Sequence, residues 1–469
     1  MIVFSRSRIW GAAMKCSIKQ QALVKWLNRT VRSDFLSKWC RRLCASLLGA
    51  LCFSSFAAHA APSELDELRA QIEAQRVIIE KLSERLERLE SNESESRAQP
   101  EVRGYIAERE LHLTGEGAMG FYSTGDAGQH PNNEFLLDEA RAYVEARVMP
   151  DTYFFAELNM MTREKSREKN SHRGNINMNI GELYVDFENV RQLFGGSGGP
   201  TFRVGRFEIP FGEEYMRRDA MKNPLVTHSL ADFWGIDEGI ELYGSVGAVS
   251  YLVALQNGGH AVGRDFESDK SITVRLGVDP TSNLHLGASY MTTGDLTNIQ
   301  SGVDTDRLGE LWFGNYWISD AGTADTVFSS SFWLGEGRVS LGNGHLAFLY
   351  GQGLYEDNGE GDTDIEFDYY TLEVVQPFTE KAYGALRWSG IESDEGYYLV
   401  GLGNEDLNLE PDQKTTELQQ LSLGLGYRLS ESLILKGEYA WIRGDILEGG
   451  RRDDENMFTL QLAYKFPQR

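Results

Sequence analysis

Chemically active side chains recur on every second residue between Glu139 and Arg147. Glu139, Arg141, Tyr143, Glu145 and Arg147 alternate there with Ala140, Ala142, Val144 and Ala146. A period of two puts the two sets on opposite faces of a strand. Arg141 and Arg147 therefore share a face on which they could meet a small anion, or pair with Glu139, Glu145 or acids of neighbouring strands and stiffen a wall. A second basic group, Arg217, Arg218 and Lys222, stands beside Glu213, Glu214, Asp219 and Asp232. It is a candidate for a narrow point through which charged solutes pass. Arg206 is a further candidate for the solute path, although it has the parity of Phe202 and Val204 and faces the apolar side unless a bulge or strand end turns it.

Other chemistries find little support. The histidines beyond residue 60 (His112, His130, His172, His228, His260, His285 and His345) have no metal-like spacing. The acid-rich stretches Asp357 to Asp368 and Asp453-Asp454-Glu455 lack the ligand order of a calcium loop. Ser289 and His285 can share one strand face, which is the sole basis for a hydrolase reading. The Gly-x-Ser-x-Gly pattern occurs only at Gly195 to Gly199, inside a glycine-rich connection between strands rather than at a strand-to-helix elbow, and no Gly-Lys-Ser/Thr phosphate loop occurs. No catalytic residue, metal or cofactor is assigned.

The elements that must position the charged residues are strands. Phe458, Leu460, Leu462, Tyr464 and Phe466 alternate with Met457, Thr459, Gln461, Ala463 and Lys465, and similar runs recur back to Tyr105, giving a count of sixteen. So many strands without a helical interruption leave no unpaired edge if they close into a barrel. With the apolar face outward, the surrounding solvent is lipid. The reading is an all-β, 16-stranded antiparallel transmembrane barrel over residues 104–469, with its first strand around Tyr105 to Leu113. Long connections are expected near 116–133, 164–177, 210–236, 258–270, 294–323, 355–366, 391–416 and 443–455, with tight turns between them. Eight long loops and seven turns put both barrel ends on the turn side, the periplasmic one. Aromatic residues make up 11% of the chain, many near strand ends, as interfacial girdles require.

The first 103 residues read differently. Residues 1–60 hold all four cysteines, ten Lys or Arg against Asp34, an apolar run from Leu43 to Phe56 and then Ala58-His59-Ala60. That order describes a secretory signal peptide cut before Ala61; the run is short of the ~20 residues of a membrane-spanning helix. Removing it leaves no cysteine, and changes the net charge from −24 to −33. Such acidity argues against a nucleic-acid partner. In residues 61–90, Leu65, Leu68, Ile72, Gln75, Ile79, Leu82, Leu86 and Leu89 form a heptad seam, expected to be a short periplasmic coiled-coil helix that oligomerises. Residues 91–103, rich in Ser and Glu, read as a linker.

The stretch Val204-Gly205-Arg206-Phe207-Glu208-Ile209-Pro210-Phe211-Gly212 resembles the strand-to-loop segment of the phosphate-selective porin O/P family. The likeness runs from about Gly104 to the C-terminus, and the leading coiled coil is similar to that of dicarboxylate-type porins. The resemblance implies a trimeric outer-membrane channel for small solutes, with the third long loop, Pro210 to Gly239, folded into the pore. The family's phosphate channels use a ladder of arginines and a cluster of lysines, whereas this chain has few strand lysines and an acidic total. The expected activity is passive diffusion of small anionic solutes, phosphate or carboxylates, in the outer membrane of a Gram-negative bacterium. The partners are outer-membrane lipid, small ionic solutes and further copies of the chain. The alternatives are a structural barrel that anchors a periplasmic coiled coil and an outer-membrane hydrolase.

Overall fold

The computed structural model describes residues 111–128, 130–162, 179–191, 199–258, 268–297, 312–313, 316–317, 327–357, 364–399, 414–452 and 454–466. All of them belong to the unit Gly104–Arg469. The signal peptide, coiled coil and linker readings lie outside the described residues.

Sixteen long strands follow one another in the chain: β1 Leu111–Thr124, β2 Glu134–Met149, β3 Thr152–Thr162, β4 Asn179–Phe187, β5 Thr201–Glu208, β6 Ile236–Val246, β7 Val249–Gln256 and β8 Ser271–Thr281. The second half comprises β9 Leu284–Thr297, β10 Val327–Leu341, β11 Gly344–Asp357, β12 Ile365–Pro377, β13 Ala382–Leu399, β14 Thr415–Ser430, β15 Leu433–Ile446 and β16 Met457–Phe466. Each pairs antiparallel with the next, and β16 returns to β1 in the register Gly115↔Phe466 to Thr124↔Met457, which closes the barrel. Short and long connections alternate as expected from the sequence.

The strands are longer than their alternation suggests. β1 continues to Thr124, so the first long connection is 125–133 rather than 116–133. The segment Gly115 to Gly120 looks like a loop because glycine is a poor strand former. Here glycines make room for aromatic rings of the adjoining strand: a Cβ on Gly117 would lie 2.6 Å from the Tyr464 hydroxyl, and one on Gly115 2.8 Å from the Phe466 ring.

A second departure explains the ends of β10 to β15. Near the turns these strands carry apolar residues outward and polar ones inward, as Leu421, Leu423 and Leu425 do against Gln420 and Ser422. Toward the long loops the pattern inverts. On β12, Glu366 and Asp368 share the outward parity of Leu372 and Val374, while Phe367 and Tyr369 are buried inside. Glu392, Glu417 and Arg443 likewise lie outward beside inward Ile391, Leu418 and Ile442. An outward row of aromatic rings marks the change: Trp333 meets Tyr350 at 5.7 Å and Tyr370 meets Trp388 at 4.9 Å between centroids, with Tyr439 and Trp441 continuing it. Such rings sit at membrane interfaces. Below them Leu421 to Leu429 extends roughly 27 Å along the strand, near the height of a lipid-facing band once the strand tilts. Above them the sheet is built like that of a water-soluble barrel, polar outside and apolar within. On β10 to β15, therefore, the polar interior expected from the sequence is found only toward the turns, whereas Asp138, Asp237, Gln256 and Thr273 keep it polar near the long loops of other strands.

Candidate functional site: the inward loop and its cavity

The connection between β5 and β6, residues 209–235, folds into the lumen. It ends at Gly235; Ile236 to Gly239, assigned to the loop from sequence, already pair with β5 or β7. Two glycines of the Val204–Gly212 segment account for its course. Gly205 has φ +145 and lies so close to β4 that a Cβ would collide with the Leu183 carbonyl. Gly212, at φ +72, turns the chain inward after Pro210, a conformation that favours glycine. Its N–H donates to Ser289 Oγ (3.1 Å) and its carbonyl accepts from Arg275 (2.8 Å).

Apolar contact holds one side of the loop. Ile209, Phe211, Val226, Leu230, Ala231 and Phe233 join Phe332, Tyr355, Phe367 and Tyr369 of the wall in one buried cluster. Phe233 and Trp234 also pair as a short ladder with Trp312 and Phe313 of the β9–β10 connection.

Polar anchors hold the rest. Lys436, 1% exposed, donates to the carbonyls of Ala220, Asn223 and Leu225 at 2.8, 3.3 and 2.8 Å. Glu438 accepts the amides of Val226 (2.6 Å) and Thr227 (2.8 Å) and the Thr227 hydroxyl (2.5 Å). Arg387 bonds Glu373, its cross-strand partner, at 2.6 Å and reaches the Thr227 carbonyl at 2.7 Å and Asn223 Oδ1 at 2.8 Å.

The sequence-derived candidates divide between lumen, rim and outer face. Arg141 faces the lumen 3.0 Å from Asp219 of the loop, with Glu139 at 3.7 Å and Glu157 at 3.8 Å. Arg147 lies at the turn end of β2, half-exposed, and pairs with Glu188 at 2.8 Å. Arg206 is on the outward parity, opposite Leu183 and Glu238, and pairs with Glu238 at 2.9 Å. Its assignment to a solute path is corrected: neither a bulge nor the strand end turns it inward, and the inward guanidinium of β5 is Arg203, 2.8 Å from Asp186. Arg217 and Arg218 border the cavity beside the loop, Arg217 reaching Glu373 at 3.5 Å and Arg218 reaching Asp232 at 3.1 Å. Lys222 bonds Asp219 at 2.6 Å.

That last pair is sensitive to pH. Burial alone would raise the Asp219 carboxyl, yet Arg141, Lys222 and Arg218 together hold it below its ordinary value of 3.8. Burial likewise opposes the Lys222 ammonium, but Asp219 raises it above 10.5. A depressed carboxyl stabilises the fold fully above its unfolded pKa and loses that contribution as pH falls through the folded one. The Lys222 contribution is present below 10.5 and fades as pH rises beyond it. The difference in urea stability between the parent and Asp219→Asn is therefore expected to stay level from pH 5 to 9 and to shrink below about 3.8, as Asp219 lets go of Arg141. A difference that shrinks already at pH 6 would refute Asp219 as the responsible group.

The cavity, of about 590 Å³ including its open mouth, lies between the loop and β10 to β13. Four arginines border it: Arg217, Arg218, Arg338 and Arg387. Its acids are engaged by donors: Glu214 by Ser229, Glu336 by the Glu213 amide, Glu213 by His285 at 2.7 Å and Glu373 by Arg387. Arg338 is exposed and has no ion-pair partner among the described residues. Sequence reading passed over Arg338, Arg387, Lys436 and Glu438. The available signal was an isolated Lys and Glu two residues apart in the apolar run Leu433 to Trp441.

Ser289 and His285 do not make a nucleophile and base. Ser289 accepts from Gly212, and the two ring nitrogens of His285 lie 2.7 Å from Glu213 and 2.7 Å from Asp279.

No protein-family model and no curated protein matches this chain. Several solved structures match its fold. The outer membrane channel DcaP of Acinetobacter baumannii gives a TM-score of 0.51 at 11% identity, over 76% of this chain and 97% of that one. The anion-selective porin from Comamonas acidovorans gives 0.50 at 12% identity, over 76% and 100%. OmpT, an outer membrane protein of Vibrio cholerae, gives 0.50 at 10% identity, over 76% and 98%. At these identities the likeness is one of fold.

Proposed function

We propose that this protein is an outer-membrane porin through which small anionic solutes, phosphate or carboxylates, diffuse passively. The observation that carries the reading is the cavity beside the inward loop, where acids are held by donors and Arg338 is left to a solute. A guanidinium matches carboxylate and phosphate oxygens in geometry as well as charge. Passage needs no covalent step: the loop limits size, and the charges at the narrowest point set the preference. The overall −33 attracts cations at long range, but a few residues at a constriction act at contact distance, where screening is least. The Val204–Gly212 resemblance to the phosphate-selective O/P family and the anion-selective fold neighbour support the same choice.

The assembly is proposed to be a trimer, joined by the barrel wall and by a periplasmic coiled coil from Leu65 to Leu89. Outward Ala140, Ala142 and Ala146 keep the wall low along β2, so that copies can approach closely. The apolar filling of the upper lumen is the one observation that favours the alternative, a structural barrel.

The test is the reversal potential of the refolded protein in a planar bilayer under a potassium chloride gradient. Chloride preference is expected, and Arg217→Glu with Arg338→Glu should move it toward potassium. A potassium preference in the unaltered protein would refute the anionic assignment. Folded oligomers without any conductance would refute the channel and favour the anchor.

A further inference from the structure

A second cavity, of about 250 Å³ including its open mouth, lies across the loop from the first and is bordered by Asp138 and Glu139 of β2 and Gln461 of β16. Three loop residues line both cavities: Arg218, Asn223 and His228. They form a partition between the two. Asn223 is the fixed part, since its amide donates to the Thr227 carbonyl and its Oδ1 accepts from Leu225 N and Arg387. Arg218 and His228 converge on one oxygen: Arg218 Nε is 3.1 Å and His228 Nδ1 3.4 Å from Asp232 Oδ2. Asp232 is fully buried, and the turn that presents it is closed by its own N–H to the Ser229 carbonyl at 3.2 Å.

We infer that the Asp232 carboxylate is a tethered stand-in for the permeating oxyanion, occupying on Arg218 and His228 the place a carboxylate or phosphate takes as it crosses the partition. A guanidinium and an imidazole around one carboxylate oxygen are the groups that would receive such a solute. Left bare, they would hold it tightly, and a channel conducts only if each site releases what it binds. A carboxylate on the same loop competes at high effective concentration and returns when the solute leaves. Asp232 is thus a positioning residue that lowers affinity in favour of flux. This rests on the anion-channel reading.

The experiment compares block of chloride current by inorganic phosphate and by malonate in the refolded full chain and in Asp232→Asn. Removal of the competing carboxylate is expected to lower the half-blocking concentration about tenfold or more. His228→Gln, which keeps Asp232, should weaken the block several-fold; it also serves as the deciding variant if Asp232→Asn does not assemble. Unchanged half-block in an assembled Asp232→Asn oligomer, or, if that variant does not assemble, in His228→Gln, overturns the inference while leaving a chloride-selective channel intact. A potassium-selective parent channel overturns both the inference and the reading beneath it. If neither parent nor Asp232→Asn conducts, both likewise fall.

Discussion

Lys436→Met should release the inward loop and raise single-channel conductance several-fold, with flicker between current levels. Met preserves most of the volume of the buried side chain while removing three donors at once. The carbonyls of Ala220, Asn223 and Leu225 would then lie in a closed site without them. Each buried carbonyl left without its donor costs about 1–3 kcal/mol. That is enough to loosen residues 220–225, while Glu438 and Arg387 keep their hold on Thr227. The sixteen strands keep their ladders, so the temperature at which the barrel loses its compact electrophoretic form should change little. The two readouts belong together: quiet current of parental size in Lys436→Met would show that the loop is held by its apolar cluster rather than by this ammonium.

Arg387→Met should have the largest effect on stability. Arg387 and Glu373 are each 4% exposed, face each other across β12 and β13, and are joined through Nε and Nη2 at 2.8 and 2.6 Å. Loss of the guanidinium leaves a buried carboxylate facing the lumen and costs about 3–5 kcal/mol. Replacing both, with Glu373→Leu added, should recover more than half of the loss, since an apolar pair of similar volume is often as stable as a buried ion pair. Urea unfolding followed by tryptophan fluorescence would measure the cycle. If the double variant were as unstable as the sum of the singles, the two residues would be acting independently.

Much of this architecture is written in local pattern. Phe458 to Phe466 alternates cleanly because its outward residues meet a uniform solvent, and the turn-and-loop rhythm follows from closing such strands. The parity of Arg206 predicted its outward face, and the structure keeps it there beside Glu238. The inward loop was expected only through the resemblance of Val204 to Gly212 to the porin O/P family. Its anchors were not. Lys436 lies more than two hundred positions from Ala220, and nothing near either residue in the chain signals the other. The cavity's Arg338 was missed for a similar reason: it sits at the turn end of a Gly- and Ser-containing strand, where one charge in sequence looks like any solvated residue. Strand ends were misjudged for a physical reason, because alternation judged by one polarity vanishes where the two faces exchange solvents.

That exchange acts as a depth gauge for the whole molecule. Asp368, Glu392 and Glu417 stand in one outward row directly above the aromatic belt. Sinking the barrel by a few ångströms would carry this row into hydrocarbon, and raising it would expose Leu421 to Leu429 to water; both displacements are unfavourable. The barrel is thus held at a single height, and because the loop is fastened to the wall at Lys436, Glu438 and Arg387, the pore's narrow point keeps a constant distance from the outer surface of the membrane. In the proposed channel, a solute would therefore meet the loop at the same level in every copy, whatever the thickness of the lipid around it.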